Sequence, residues 1–210
     1  MSPLFNLNAF YDRIAPLYAC AWAAIPAWQR YTEAALPFLP TSGRVLEVGP
    51  GPGLLLEQLV ARHPLAIGLD LSLGMLAEAR RRLRRAGQPI RLVRGNAVKL
   101  PFAAGSLDGV AMTFTLSAIP EGQQTVDEMV RALCRPEPLA GRLGGVLALV
   151  DAGYPSDHNP LGTALARLWE LGGDRLRDEA AMMEAAGLQI VARHEFGVGD
   201  SIRLVVGRKV

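Results

Sequence analysis

Val45-Leu-Glu-Val-Gly-Pro-Gly-Pro-Gly53 is a short apolar run that gives way to glycines alternating with prolines. Val45, Leu46 and Val48 read as a buried strand, and the glycines begin where that strand should end. A second run, Ala66, Ile67 and Leu69, carries Asp70 at its tip within Gly68-Leu-Asp-Leu-Ser72. A parallel strand, a glycine turn, a helix and a second strand ending in an acid build a nucleoside pocket at the carboxyl edge of a sheet. Glycines let the backbone approach the ligand closely, and the carboxylate accepts hydrogen bonds from ribose hydroxyls.

Spacing selects among nucleosides. A dinucleotide site needs G-x-G-x-x-G, whose third glycine allows close packing of helix on strand. Gly49 and Gly51 fit, but the third position falls on Leu54 and Gly53 comes one residue early. A pyrophosphate also wants a helix N-terminus with free N–H donors, and Pro50 and Pro52 remove two of them. An NAD-dependent oxidoreductase is disfavoured on both grounds. G-x-G-x-G preceded by Glu47 resembles the pattern of class I S-adenosylmethionine-dependent methyltransferases, and the likeness extends over most of the chain. Their sulfonium cofactor has no phosphate and carries a cationic amino group, which suits an acid beside the turn. The resemblance implies a transferase that uses S-adenosyl-L-methionine and releases S-adenosyl-L-homocysteine. It assigns Glu47, Gly49, Gly51, Gly53 and Asp70 to cofactor binding.

Bulk properties agree. At 210 residues the chain is long enough for one α/β domain with a sizeable core and too short for two full domains. A net charge of +2 gives no argument for nucleic acid as a partner. Lys99 and Lys209 are the only lysines, so the basic side is almost all arginine. Cys20 and Cys134 are isolated, without metal-ligand spacing, and no His, Cys and carboxylate set suggests a metal. No apolar run reaches the roughly 18 uncharged residues of a membrane span. The N-terminus lacks a basic stretch followed by an apolar one, so the expected compartment is the cytoplasm, with reduced thiols.

Elements alternate along the chain. Residues 6 to 37 read as helical in two pieces, broken near Pro16 and Pro26. Strands follow at 43–48 and 65–70, separated by a helix over 53–62 that stops before Pro64. Ser72 can cap a helix running through Met75, Leu76, Ala79 and Leu83 to Gly87. Further strands fall at 90–93, 107–113 and 146–150, with a helix over 123–133. Helices over 161–170 and 175–186 precede strands at 189–194 and 202–206. Such alternation argues for a doubly wound parallel sheet. The last two strands have no helix between them and should pair as a hairpin, making one edge antiparallel. The expected fold is α/β and Rossmann-like, seven-stranded and mostly parallel, with an antiparallel C-terminal edge hairpin. One domain spans 1–210, divided into an N-terminal helical lid (1–40) and the core (41–210).

The resemblance carries further residues. Leu71 and Met75, after Asp70, look like the family's loop in which a side chain packs on adenine. Arg94-Gly-Asn-Ala-Val-Lys-Leu-Pro-Phe102 is similar to its G-D-A-x-x-L-P-F segment, with Asn96 in place of the acid and Ala97 beside it. An amide oxygen can accept from the adenine amine as a carboxylate does, without the charge, and the change costs about 1 kcal/mol. Gly105-Ser-Leu-Asp-Gly-Val110 matches the entry to strand four, and Thr113 falls where that strand ends over the cofactor's methionine part.

Tyr11-Asp-Arg-Ile-Ala-Pro-Leu-Tyr18 resembles the Y-D-x-x-A-x-x-Y opening of quinone-biosynthesis and phospholipid-type methyltransferases. Eight of the thirteen aromatics lie before residue 40: Phe5, Phe10, Tyr11, Tyr18, Trp22, Trp28, Tyr31 and Phe38. They either pack simply on the sheet edge, or form a lid with Tyr11 and Tyr18 facing cofactor and substrate, or make weak peripheral contact with a membrane surface. Arg80-Arg-Arg-Leu-Arg-Arg85 ends a helix, where cations suit the negative end of the dipole, and reads as a solvated face. Asp151, at the end of strand five, and His158, in the following loop, are the candidates for a general base. His63 and His194 read as structural.

The chemistry this implies is direct in-line methyl transfer, which needs orientation and desolvation more than acid catalysis. The acceptor is a small molecule or lipid-like, either an amine head group or a quinone-like carbon or oxygen. The reading from a different class is a non-catalytic protein that keeps the S-adenosylmethionine-binding fold and acts as a partner or regulatory subunit. Which acceptor, which base and which oligomeric state the chain uses have no motif in the sequence.

Overall fold

A computed structural model describes residues 7–23, 25–137, 139, 141 and 143–210. Phe5, the side chains of Phe10 and Trp22, and Pro138, Ala140 and Arg142 of the loop before strand five lie outside the described residues.

Seven strands form one sheet: β1 (Val45–Val48), β2 (Ile67–Asp70), β3 (Leu92–Arg94), β4 (Gly109–Thr113), β5 (Val146–Ala152), β6 (Leu188–Phe196) and β7 (Ile202–Lys209). Their spatial order is β3-β2-β1-β4-β5-β7-β6. The first five strands run parallel, and β7 lies antiparallel between β5 and β6. The C-terminal hairpin is therefore present, with β6 outermost. The helices are α1 (Leu7–Ala23), α2 (Pro26–Glu33), α3 (Leu54–Arg62), α4 (Leu73–Arg85), α5 (Gly122–Ala132), α6 (Pro160–Leu171) and α7 (Glu179–Ala185). The mixed sheet flanked by helices is the α/β, Rossmann-like arrangement expected.

Strand β1 is buried at every position, so alternate side chains serve two cores. Leu46 and Val48 join Val110, Met112, Leu147 and Leu149 under α5 and α7. Val45 joins Ala111, Ala148 and Val150 under α3. Both faces being apolar, the polar groups of the central strands can reach a ligand only at their tips. Switching from β1 to its two neighbours, β2 and β4, opens a crevice at those carboxyl ends.

Several boundaries differ from the sequence reading: β2 and β4 start two residues later, β5, β6 and β7 run further, and four more differences concern α1, β1, β3 and α7. Helix α1 runs through Pro16 without a break, although proline there removes the bond to the Asp12 carbonyl; its ring is exposed. Strand β1 starts at Val45 because Arg44 and Gly43 form a turn, with the Arg44 N–H donating to Asp108 Oδ2 at 2.8 Å. Strand β3 covers Leu92–Arg94, leaving Ile90 outside it and exposed. Helix α7 begins only at Glu179, capped by Asp178, whose side chain accepts from the Ala181 N–H. Residues 174–177 are drawn off to bond with the loop after β4. Among the described residues no helix is long and apolar enough to cross a membrane.

Candidate active site

A cavity of about 290 Å³ lies over the β1, β2 and β4 tips and is roofed by α1 and α2. Three glycines shape its floor, each for a different reason. Gly49 (φ +70°) brings its backbone against Thr115, and Gly51 (φ +52°) faces open space. Gly53 (φ +86°) ends the turn as the N-cap of α3, and a Cβ there would sit 3.1 Å from Ala79 of α4. Gly53 thus lets α3 pack closely on α4, between Pro52 and Leu54, which line the cavity.

Asp70 closes one side. Its Oδ2 accepts from Gly51 N–H at 3.2 Å and its Oδ1 from Ser72 N–H at 2.9 Å. Burial raises its carboxyl to about 6, against the lowering effect of those two bonds. Glu47, 1% exposed, sits in the cavity wall with no hydrogen-bond partner on Oε2. Burial, with the Asp70 charge adding to it, pushes Glu47 to about 8. A buried polar atom left unsatisfied costs about 1–3 kcal/mol, so this one marks a place where a donor or cation fits.

Beyond Asp70, the cavity is lined by Leu71, Met75, Asn96 and Ala97, a slot with apolar walls and one amide. The Asn96 Oδ1 accepts from Val98 N–H at 3.1 Å and keeps a second lone pair. Thr113 lines the cavity at the β4 tip. Across from the slot, the lining is aromatic: Tyr11 and Tyr18 from α1, Trp28 from α2, and Phe114 after β4. Trp28 stacks on Phe114 with centroids 4.0 Å apart, and Trp169 of α6 continues the stack at 5.9 Å from Trp28. Phe114 holds a left-handed backbone (φ +48°), an uncommon state for a bulky residue and one found at functional sites. Burial and the charges of Asp174, Asp70 and Asp151 keep the Tyr11 phenol protonated.

Helix α1 is fastened to this site by Asp12. The Ser72 hydroxyl donates to Asp12 Oδ1 at 2.5 Å and Gly74 N–H donates to it at 3.0 Å, while Ser72 Oγ accepts from Met75 N–H at 3.1 Å. Those bonds hold Asp12 below the usual carboxylate range, so the fastening persists through neutral pH and is lost only in acid. Gly74 makes the approach feasible, since a Cβ there would meet Asp12 backbone at 2.7 Å. Asp12→Ala should cost about 1 kcal/mol of stability, as the loss of a helix cap does, and should raise amide exchange along residues 11–18. Unchanged exchange there would show that the helix is held by packing alone.

Two sequence candidates are not in the cavity. Asp151, 3% exposed, lies behind its wall, accepting from Ser117 N–H at 3.0 Å and Ala152 N–H at 2.9 Å. Burial raises it to about 6 despite those bonds. His158 is exposed on a turn at φ +58°. Neither side chain lines the cavity. Sequence reading missed Trp28 and Phe114 as a stacked pair and Glu121 at the rim, because nothing local marks them as neighbours.

Residues 45–136 match a family model described as a methyltransferase domain. A demethylmenaquinone methyltransferase of a Parafrankia species is 33% identical over 171 residues, which cover 71% of this chain and 64% of the relative. A phosphatidylethanolamine N-methyltransferase of Cereibacter sphaeroides is 37% identical over 130 residues, 60% of this chain and 59% of the relative. The chain thus spans about three fifths of the length of these relatives. Among solved structures, a SAM-dependent methyltransferase of Thermotoga maritima superposes with a TM-score of 0.69 at 19% identity, over 95% of this chain and 98% of that one.

Proposed function

We propose that this chain, which belongs to the class I S-adenosylmethionine-dependent methyltransferases, transfers a methyl group to a small-molecule or lipid-like acceptor. The observation that carries this reading is the Glu47 Oε2 left without a partner in the cavity wall, two residues before a glycine turn. The cofactor supplies an electrophilic methyl on a sulfonium whose departure leaves a neutral thioether, S-adenosyl-L-homocysteine. Glu47 would meet its ammonium group, Asp70 its ribose hydroxyls, and Gly49 and Gly51 its close approach to the main chain. Leu71, Met75, Asn96 and Ala97 would hold the adenine, and Thr113 the methionine end. Tyr11, Tyr18 and Trp28 roof the reacting centre and keep water out. Helices α1 and α2, within the 1–40 segment, serve as the lid of a single domain whose core is 41–210.

The relatives' names favour acceptors with an amine head group or a quinone-like ring, and the aromatic half of the cavity suits either. Rings of this kind stack on planar groups and attract cationic amines. With Asp151 behind the wall and His158 outside the cavity, the chain's contribution is positioning and desolvation, with Glu121 the carboxylate offered at the acceptor rim.

Calorimetric titration with S-adenosylmethionine, S-adenosylhomocysteine and NAD tests the pocket. Micromolar binding of the two adenosyl compounds without NAD is expected. Asp70→Ala should weaken it by about 1–3 kcal/mol, the worth of hydrogen bonds to a charged group. Labelled methyl transfer is then read with dihexanoyl phosphatidylethanolamine and with a reduced short-prenyl naphthoquinone. Binding without transfer to any acceptor would reassign the chain as a cofactor-binding partner subunit.

A further inference from the structure

The wall at the acceptor end is not built from the sheet. It is the segment 116–120, a 3-10 turn (Leu116–Ala118) and its continuation, which presents Ala118, Ile119 and Pro120 to the cavity. So short a turn satisfies only the Leu116 carbonyl from within, by Ile119 N–H at 3.2 Å, and leaves the Ser117, Ile119 and Pro120 carbonyls to find donors elsewhere. The donors come from the stretch before α7. Arg175 N–H donates to the Ser117 carbonyl at 2.8 Å. The Arg177 guanidinium donates through Nη1 to the Leu116 carbonyl and through Nη2 to those of Ile119 at 2.5 Å and Pro120 at 3.2 Å. Ser117 is held from behind, its hydroxyl donating to Asp174 Oδ1 at 2.8 Å.

Arg177 is in turn fixed. Arg203 donates to its carbonyl and pairs with Glu179 at 3.1 Å. Gly122, the first residue of α5, leaves the guanidinium its place: a Cβ there would come within 2.7 Å of its Cζ and Nε. Spanning three carbonyls takes a planar fork of donors, which arginine has and lysine does not. On the opposite side of the cavity, the Asp70 carboxylate accepts from the glycine turn and from its own loop.

We infer that Arg177 is the positioning residue of the acceptor wall, setting the shape of 116–120 and through it the fit of the methyl acceptor. This rests on the methyl-transfer reading above for the identity of the ligand, and on the bonds just described for the clamp itself.

Three variants test it: Arg177→Ala, Arg177→Lys and Gly122→Ala. For Arg177→Ala the acceptor KM should rise about tenfold or more with kcat changed less than about threefold, the signature of lost uniform binding. Affinity for S-adenosylhomocysteine should stay within about twofold, and amide exchange should accelerate at 116–121 while strands β1 and β4 keep their protection. Guanidinium ion at millimolar concentration should recover part of the KM, and Arg177→Lys should fall between. Gly122→Ala should copy Arg177→Ala, although alanine at a helix start would otherwise favour the helix. Unchanged KM and exchange in both Arg177→Ala and Gly122→Ala would overturn the inference. So would parallel loss of homocysteine-compound binding and of strand protection, which would make Arg177 a general fold residue. If the wild type transfers to neither phosphatidylethanolamine nor the naphthoquinol, the acceptor reading fails instead, and the exchange pattern alone decides the clamp.

Discussion

Affinity for S-adenosylhomocysteine should fall about thirtyfold between roughly pH 8 and pH 6.5, and Glu47→Gln should flatten that slope. The sign follows from the free protein. Burial holds the Glu47 proton up to about 8, so below that pH the carboxyl is neutral before the ligand arrives. An ammonium group brought to Oε2 favours the charged form, so binding releases the proton, and each pH unit below the free value costs up to about 1.4 kcal/mol. The window ends near 6.5 because Asp70, raised to about 6, starts to take up its own proton there. The unliganded fold follows the opposite trend. Glu47 is stabilising while neutral, so its own contribution to stability is full below the ordinary carboxylate range and is lost as pH rises through about 8. The thermal shift produced by the ligand should therefore grow with pH. Calorimetry in two buffers of different ionisation enthalpy counts the released proton: close to one at pH 7 for the wild type, none for Glu47→Gln. Wild-type binding that is flat with pH and releases no proton would remove Glu47 from the ammonium site.

How much of this could be read in advance depended on whether a signal is local. Strand tips and the glycine turn were legible because their residues are adjacent in sequence: Glu47, Gly49 and Gly51 line the cavity together with Asp70 from the next strand. Ser72 as the cap of α4 was legible for the same reason, and its side chain accepts from Met75 N–H. The Tyr11-to-Tyr18 segment acquires a reason residue by residue, since both tyrosines line the cavity and Asp12 caps α4. The packing role of Gly53 was not legible, because spacing does not announce a glycine that lets α3 pass Ala79. Asp151 was placed in the cleft from its position at a strand end. It is instead consumed by two backbone N–H groups, which no sequence pattern announces. The same holds for residues 174–177, where helical propensity lost to tertiary bonds with the loop after β4.

Gly49→Ala should be the most damaging single change in the site, costing about 3 kcal/mol in stability and abolishing detectable cofactor binding. Two costs add. The backbone at φ +70° penalises any side chain by about 1–2 kcal/mol. The new Cβ would also lie 2.4 Å from Thr115 Cγ2 and 2.5 Å from its Oγ1. Thr115 cannot swing aside freely, since its one hydroxyl proton is shared between the Thr113 carbonyl at 2.9 Å and the Gly49 carbonyl at 3.2 Å. Nor can the strands part, because β1 and β4 are locked in register with Val48 opposite Met112. A melting temperature lowered by about 6–12 °C is the expected reading for a chain of this size. Thr115→Ala deletes the two closest of the three clashing atoms and leaves its own Cβ at 2.9 Å, so the double variant should be better than the sum of the singles by about 1–2 kcal/mol without full recovery. Gly51→Ala separates the two costs. Its φ of +52° is penalised as well, but the added Cβ meets nothing within 4 Å and projects into the cavity floor. That variant should stay folded with a loss near 1–2 kcal/mol and still bind the cofactor poorly. Equal stability loss in Gly49→Ala and Gly51→Ala, or no relief from Thr115→Ala, would mean that the turn yields, and that the close approach at Thr115 is not what makes Gly49 obligatory.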